Sequence, residues 1–240
     1  MNEVNFKYAV MASGAIPLIV AGVKNIFGAP RGVYRDGGLI DYHLSHQFAA
    51  KENELVLFFH HQERIIPGLS GCRLLIAVIN SGFDIGLADW RRVVGAAACP
   101  IWFDVHSLTL TQVVGGTRRY RPLPEWTEWA AGVSYLQANV QEVASMRGDP
   151  ETLPGRDELL DFGRRAMDLG VRAVFLTMGK EGALVLTESG ARLVGCREPG
   201  RVVDTTGCGD IFCAGAAARL ASGSAPAEAA AFGVDLASEA

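Results

Sequence analysis

The stretch "VVDTTGCGDIFCAGAAARL", residues 202–220, decides how the rest of the chain is read. Acids flank a Gly-Cys-Gly turn that stands just ahead of a run of helix formers. Arg201 to Val203 is expected to close an extended piece. Gly207, Cys208 and Gly209 would form the turn, and Asp210 would start a helix whose small inner face is Ala214, Gly215 and Ala218. The first turn of a helix carries N–H groups without intrahelical partners and a partial positive charge. A turn with almost no side chain lets an anion rest directly on them. A carboxylate at Asp210, beside such a pocket, is suited to take the proton of a hydroxyl as that hydroxyl attacks phosphorus. A plainly capped helix, with Asp210 or Thr206 as the cap, is the simpler alternative. The full string Asp-Thr-Thr-Gly-x-Gly-Asp, with Phe212 and Gly215 after it, is more than a cap requires.

Working outward, short apolar runs alternate with helical patterns from about residue 73. "RLLIAVI" (73–79), "CPIWFDV" (99–105), "VSYLQA" (133–138), "RAVFLTM" (172–178) and "GALVLTE" (182–188) read as strands. "LADWRRVVGAA" (87–97) and "RDELLDFGRRAMDLG" (156–170) read as helices, the second with Leu159, Phe162, Ala166 and Leu169 on one face and Gly170 as its stop. Residues 182–194 read as a local hairpin. A last helix is expected, with its cap at Ser224 and Pro226. Strands that are apolar throughout and separated by helices predict an α/β fold, a parallel sheet covered on both faces.

Residues 1–72 show no such alternation, so a boundary is expected near residue 72: one small segment over 1–72 and an α/β unit over 73–240. Histidines cluster in the first segment (His43, His46, His60, His61); the neighbours His60 and His61 lack the spacing of one helix face and are read as incidental. The apolar stretch 8–23 is interrupted by Pro17 and falls short of the roughly 20 residues of a bilayer span, so a buried soluble segment is expected rather than a leader or membrane anchor.

The chain has 240 residues, 49% hydrophobic and 20% charged, with a net charge of −4. That balance suits a packed soluble protein and gives no reason to expect nucleic acid or an anionic membrane as partner. Its five cysteines, Cys72, Cys99, Cys196, Cys208 and Cys213, contain no Cys-x-x-Cys pair. Neither a disulfide framework nor a zinc site is implied, and reduced thiols in a cytoplasmic setting are expected.

"DTTGCGDIFCAG" resembles the C-terminal signature of PfkB-type, ribokinase-like carbohydrate kinases, and the resemblance runs from about residue 73 to the end. It implies a ribokinase-like αβα core, with Asp210 as catalytic base and the backbone of Gly207, Cys208 and Gly209 as the anion hole. Such kinases usually carry Ala where Cys208 stands. "QANVQE" (137–142) is similar to the family's Asn-x-x-Glu motif, which implies that Asn139 and Glu142 position Mg²⁺, through water, and the phosphates. Without the other motifs, an Asn and a Glu at that spacing read as a helix-start capping pair. "LTMGKEGALV" (176–185) is similar to the family's strand-turn-strand beside ATP. It implies nucleotide contacts at Thr177, Gly179 and Gly182, with Thr206 from the signature itself. A simple hairpin turn also accounts for the two glycines. "WFDVHSLTL" places Asp104 at a strand end, where a structural role is expected.

The resemblance thus implies ATP and Mg²⁺ as cofactors and a small sugar as partner. The family's N-terminal half, with its sugar-binding residues and lid, is not found ahead of residue 73. The core is therefore expected to lack them, and transfer to be impaired by access of water. "AVMASGAIPLI", "GVYRDGGLIDYH" and "LVLFFHHQERIIPG" resemble the C-terminal part of patatin-like phospholipases. That resemblance implies Asp36 as the acid of a Ser-Asp dyad, but no Gly-x-Ser-x-Gly elbow precedes it. Three functions are therefore expected in order: a sugar kinase, a remnant of an acyl hydrolase, or a nucleotide-binding module without chemistry.

Overall fold

The computed structural model describes residues 23–24, 33–34, 55–60, 73–79, 85–111, 118–196 and 207–239. Two of the expected site residues, Asp36 and Thr206, lie outside these, as does the extended piece at 201–203. Strands β1 (Val23–Lys24) and β2 (Val33–Tyr34) form a small antiparallel ribbon.

Among the described residues the main sheet has seven strands in sequence order: β3 (Leu55–His60), β4 (Arg73–Ile79), β5 (Ile101–Asp104), β6 (Tyr135–Asn139), β7 (Ala173–Thr177), β8 (Ala183–Thr187) and β9 (Gly190–Val194). β3 through β7 run parallel. β8 and β9 add the expected hairpin as an antiparallel edge. β3 precedes residue 72 and still belongs to this sheet, with Leu55 opposite Arg73.

The helices are α1 (Leu87–Ala96), α2 (Trp126–Ala130), α3 (Val140–Met146), α4 (Arg156–Asp168), α5 (Cys208–Ala221) and α6 (Pro226–Ser238). Successive strand residues point to opposite faces, and the two cores divide accordingly. Ile101, Phe103, Val174, Leu176, Leu184 and Leu186 face a core shared with α1 to α4. Trp102, Ala173, Phe175, Ala183 and Val185 face a second core shared with α5 and α6. The result is three layers, helix–sheet–helix. In α4 the buried residues are Leu159, Phe162, Gly163 and Ala166, while Leu169 falls at the cap and is half-buried. Gly163 is needed there because a Cβ would stand 2.4 Å from a Leu186 methyl.

Helix α5 departs from the expectation in two ways. It begins at Cys208 rather than Asp210, because Gly207 alone, at φ 83° and ψ −5°, supplies the left-handed cap. Its buried set is Phe212, Cys213, Ala214, Gly215, Ala216, Ala217 and Leu220, with Ala218 only half-buried. A helix buried nearly all round is one sandwiched between layers, here the sheet and α6. Gly215 allows that approach: a Cβ on it would lie 2.8 Å from Leu236 and 3.2 Å from the Cα of Gly233. α6 is capped by Ala225, not Ser224, with Pro226 in the first turn where a missing N–H costs nothing.

The turn between β7 and β8 gives a direct test. Gly182 sits at φ 93° and ψ −128°, and a Cβ there would meet the Val194 carbonyl oxygen at 2.0 Å. Gly179 has φ 57° with open space around it. Urea denaturation of Gly182→Ala is expected to show a loss of at least about 2 kcal/mol. Gly179→Ala should lose about 1 kcal/mol, the ordinary left-handed penalty. Equal losses would contradict the close packing under Gly182.

Candidate active site

The carboxyl ends of β5 and β6 meet the start of α5, at the end of an open parallel sheet where ligands ordinarily bind. Asp104 ends β5 and is 3% exposed. Its Oδ1 accepts the His106 backbone N–H at 3.1 Å, and its Oδ2 accepts from Gln137 Nε2 at 2.9 Å. Gln137, buried on β6, also donates from Nε2 to the Gly209 carbonyl at 3.2 Å. One amide therefore ties two strand ends to the first turn of α5.

That first turn follows from the sequence. Gly207 takes the left-handed cap, and the first helical hydrogen bond runs from Ile211 N to Gly207 O at 2.9 Å. Cys208, Gly209 and Asp210 are the first three helical residues, so the motif's amides belong to the helix terminus itself. The Cys208 thiol is directed at the Ala237 carbonyl of α6, 3.8 Å away. Asp210 leaves half of its side chain in solvent, and its Oδ1 stands 3.8 Å from His106 Nε2.

Asn139 and Glu142 form a capping box at the start of α3. Glu142 N donates to Asn139 Oδ1 and Asn139 N donates to Glu142 Oε2, both at 2.8 Å. The simpler reading of this pair, a helix start, is what the geometry displays. It leaves Glu142 buried at the same end of the sheet as Asp210. Asn139 lies opposite Thr177 in the β6–β7 register. Both line a groove of about 590 Å³, together with Gly179, Met178, Arg156 and Leu153. Residues 207–210 do not line it, and neither does Gly182, which is buried beneath the hairpin. Among the nucleotide-side expectations, then, Asn139, Thr177 and Gly179 come together, while Gly182 serves the turn.

The electrostatics are dominated by acids. Burial pushes the Glu142 carboxyl up to about 8, opposed by the Asn139 N–H and reinforced by Asp210. Asp104 is held well above the usual carboxylate range, by burial first and then by Glu142 and Asp210, against the pull of the His106 N–H. Asp210 is raised by the protein around it and lowered by His106. The Cys213 thiol, fully buried, is pushed up by burial and by Asp104 and Asp210, so it stays protonated. Among the described residues no cluster of three or more His, Cys, Asp or Glu side chains is placed to hold a metal ion on its own. No helix among them is long and apolar enough to cross a membrane.

Two members of this site were not expected from the sequence. Gln137 stood in the quoted "QANVQE" string and His106 in "WFDVHSLTL", but nothing in their spacing reveals a partner 72 or 104 positions away. Asp104, for which a structural role is expected, accepts hydrogen bonds from His106 and Gln137 at the end of its strand.

Comparison with known proteins places this geometry. The pattern of the pfkB family carbohydrate kinases matches residues 117–240, more than half of the chain. An ATP-dependent 6-phosphofructokinase from Thermoanaerobacterium thermosaccharolyticum is 34% identical over 94 residues, 38% of this chain and 29% of that protein. Ribokinase from Arabidopsis thaliana, solved with ribose and ATP, shares the fold with a TM-score of 0.52 at 24% identity, over 68% of this chain and 48% of that one. Phosphofructokinase-2 from Escherichia coli does so with a TM-score of 0.53 at 17% identity, over 68% and 50%. The chain thus spans about half the length of these solved structures. The matched residues begin at 117, so they lend nothing to the patatin-like resemblance of residues 1–72.

A raised carboxyl in the folded state means that the folded protein binds more protons than the unfolded one, and stability falls as pH rises. Glu142 contributes its full stabilisation below about pH 4.5 and loses it as pH climbs through about 8. Asp104 acts in the same direction. Thermal unfolding should show a lower Tm at pH 8 than at pH 5, and Glu142→Gln should flatten that slope while its amide oxygen still accepts from Asn139. A slope unchanged by Glu142→Gln would contradict the buried, raised carboxyl.

Proposed function

Since the chain belongs to the pfkB family of carbohydrate kinases, we propose that it transfers the γ-phosphoryl group of ATP to a hydroxyl of a sugar or sugar-like alcohol. The observation that carries this reading is the first turn of α5, where a half-exposed carboxylate stands third in a helix capped by glycine. The amides of Cys208, Gly209 and Asp210 open from that terminus, where negative charge is favoured. They would neutralise charge spreading over the phosphoryl oxygens.

Asp210 would take the proton of the acceptor hydroxyl. The freed oxygen forms its bond to phosphorus, the bond from phosphorus to the bridging oxygen breaks, and ADP leaves with that electron pair. Asn139, Thr177 and Gly179, on one groove, would hold the nucleotide side. Mg²⁺ fits the donor set only as a partly hydrated ion, since the site offers one capping carboxylate and an amide rather than a cage. Glu142 and Asn139 would position it through water. When bound with ATP it would offset charge on the phosphates.

A second reading is favoured by one observation: the groove lined by Asn139, Thr177 and Gly179 does not include residues 207–210. A nucleotide-binding module without transfer would use that groove alone. Calorimetry with ATP, paired with phosphorylation assays on a panel of sugars, separates the two, because the module binds ATP and phosphorylates nothing. For the kinase, Asp210→Asn should lower turnover about 10²–10⁴-fold, the usual worth of a general base, with ATP affinity retained. Unchanged turnover in that variant would remove Asp210 from its role.

A further inference from the structure

His106 has the backbone of a residue under constraint. Its φ is +41°, and it is the one non-glycine among the described residues with a positive value. Such conformations persist where surrounding contacts over-determine them, and they gather at functional sites. Here the contacts are visible. Asp104 Oδ1 accepts the His106 N–H at 3.1 Å, and the His106 carbonyl accepts from Thr109 Oγ1 at 3.2 Å. Ser107 Oγ stands 2.9 Å from Nδ1 of the ring. With backbone and Nδ1 both held, Nε2 is left facing Asp210 Oδ1 at 3.8 Å, with both side chains partly in solvent.

The surroundings explain why a hydrogen-bond donor is useful there. From β5 comes Asp104, from α3 Glu142, and from α5 Asp210 itself and the Cys213 thiol. Arg121 reaches the same short turn but donates to the Leu108 carbonyl and lies 3.9 Å from Glu125. A carboxylate drawn partly out of water tends to hold a proton, and a general base that already holds one cannot accept another.

We propose that His106 is a positioning residue for the base: Ser107 donates its hydroxyl hydrogen to Nδ1, and Nε2–H, turned toward Asp210, keeps that carboxylate ionised and oriented. This rests on the reading of Asp210 as the base and deepens it. Loss of the pair favours the protonated acid, so Asp210 then titrates at higher pH. Burial of the carboxylate already pushes it that way, and His106 is the group opposing it.

Carboxyl ¹³C NMR of the full chain tests this without needing turnover. The Asp210 resonance is identified by its loss in Asp210→Asn. His106→Asn is the informative change, because Asn is among the residues that best tolerate positive φ and its shorter side chain withdraws the Nε2–H from Asp210. The Asp210 midpoint should rise by about half a pH unit, less than the 1–3 units of a tight pair because both groups meet solvent. Ser107→Ala should give a smaller rise in the same direction, and it carries the test alone if His106→Asn does not fold. In phosphorylation assays the acid limb of the pH–rate profile should move up with the midpoint. An Asp210 midpoint that is unchanged or lower in the variants overturns the proposal. Full turnover in Asp210→Asn would instead overturn Asp210 as the base and leave the measured pairing standing.

Discussion

The side-chain amide of Gln137 is the contact on which the site depends. Its Nε2 donates to Asp104 on β5 and to the Gly209 carbonyl on α5, joining residues 72 positions apart. The orientation of the amide is set by those two acceptors, since an oxygen turned toward the Gly209 carbonyl would leave two acceptors face to face. Its own Oε1 stays buried without a protein partner. A buried polar group left half-satisfied is costly in low dielectric, so its cost is offset by what the other half fixes: the height of the first turn of α5 above the strand ends.

From that anchor the rest follows by packing. The glycine pair Gly215 and Gly233 brings α6 close enough to clamp α5 from behind, and the aromatic stack of Trp102 on Phe175, at 4.5 Å between centroids, fills the space in front. The helix terminus is held on both sides, so in the proposed reading its amides would not need to reorganise for an anion. That is the condition under which fixed dipoles do most for a transition state. Burial pulls the other way on Asp210, which is why its neighbour His106 matters to it.

Much of this was legible in the chain. The strands at 73–79, 101–104, 135–139, 173–177 and 183–187 are the apolar runs read from the sequence, and the hairpin through Gly190 follows its turn residues. That the hairpin joins the parallel strands as their edge, and that β3 pairs with β4, are tertiary facts that periodicity does not carry. At the site, the Asp-Thr-Thr-Gly-x-Gly-Asp string located the helix terminus because glycine and acid types are tied to backbone chemistry. The start of α5 was misplaced by two residues, because one left-handed glycine suffices for the cap and the other can be helical. His106 was hidden, since a strained φ and a neighbour on another element leave no mark in local spacing. Asn139 and Glu142 show the converse: a legible pair whose visible geometry is that of a cap.

The central claim is that the amides opening from the start of α5 receive the phosphate oxygens of ATP. Titration of ¹⁵N-labelled full chain with a non-hydrolysable ATP analogue and Mg²⁺ measures this directly. The account predicts that the backbone resonances of Cys208, Gly209 and Asp210 move with nucleotide, along with those of Thr177 and Gly179. Saturating nucleotide that shifts the groove residues and leaves 208–210 in place would contradict it.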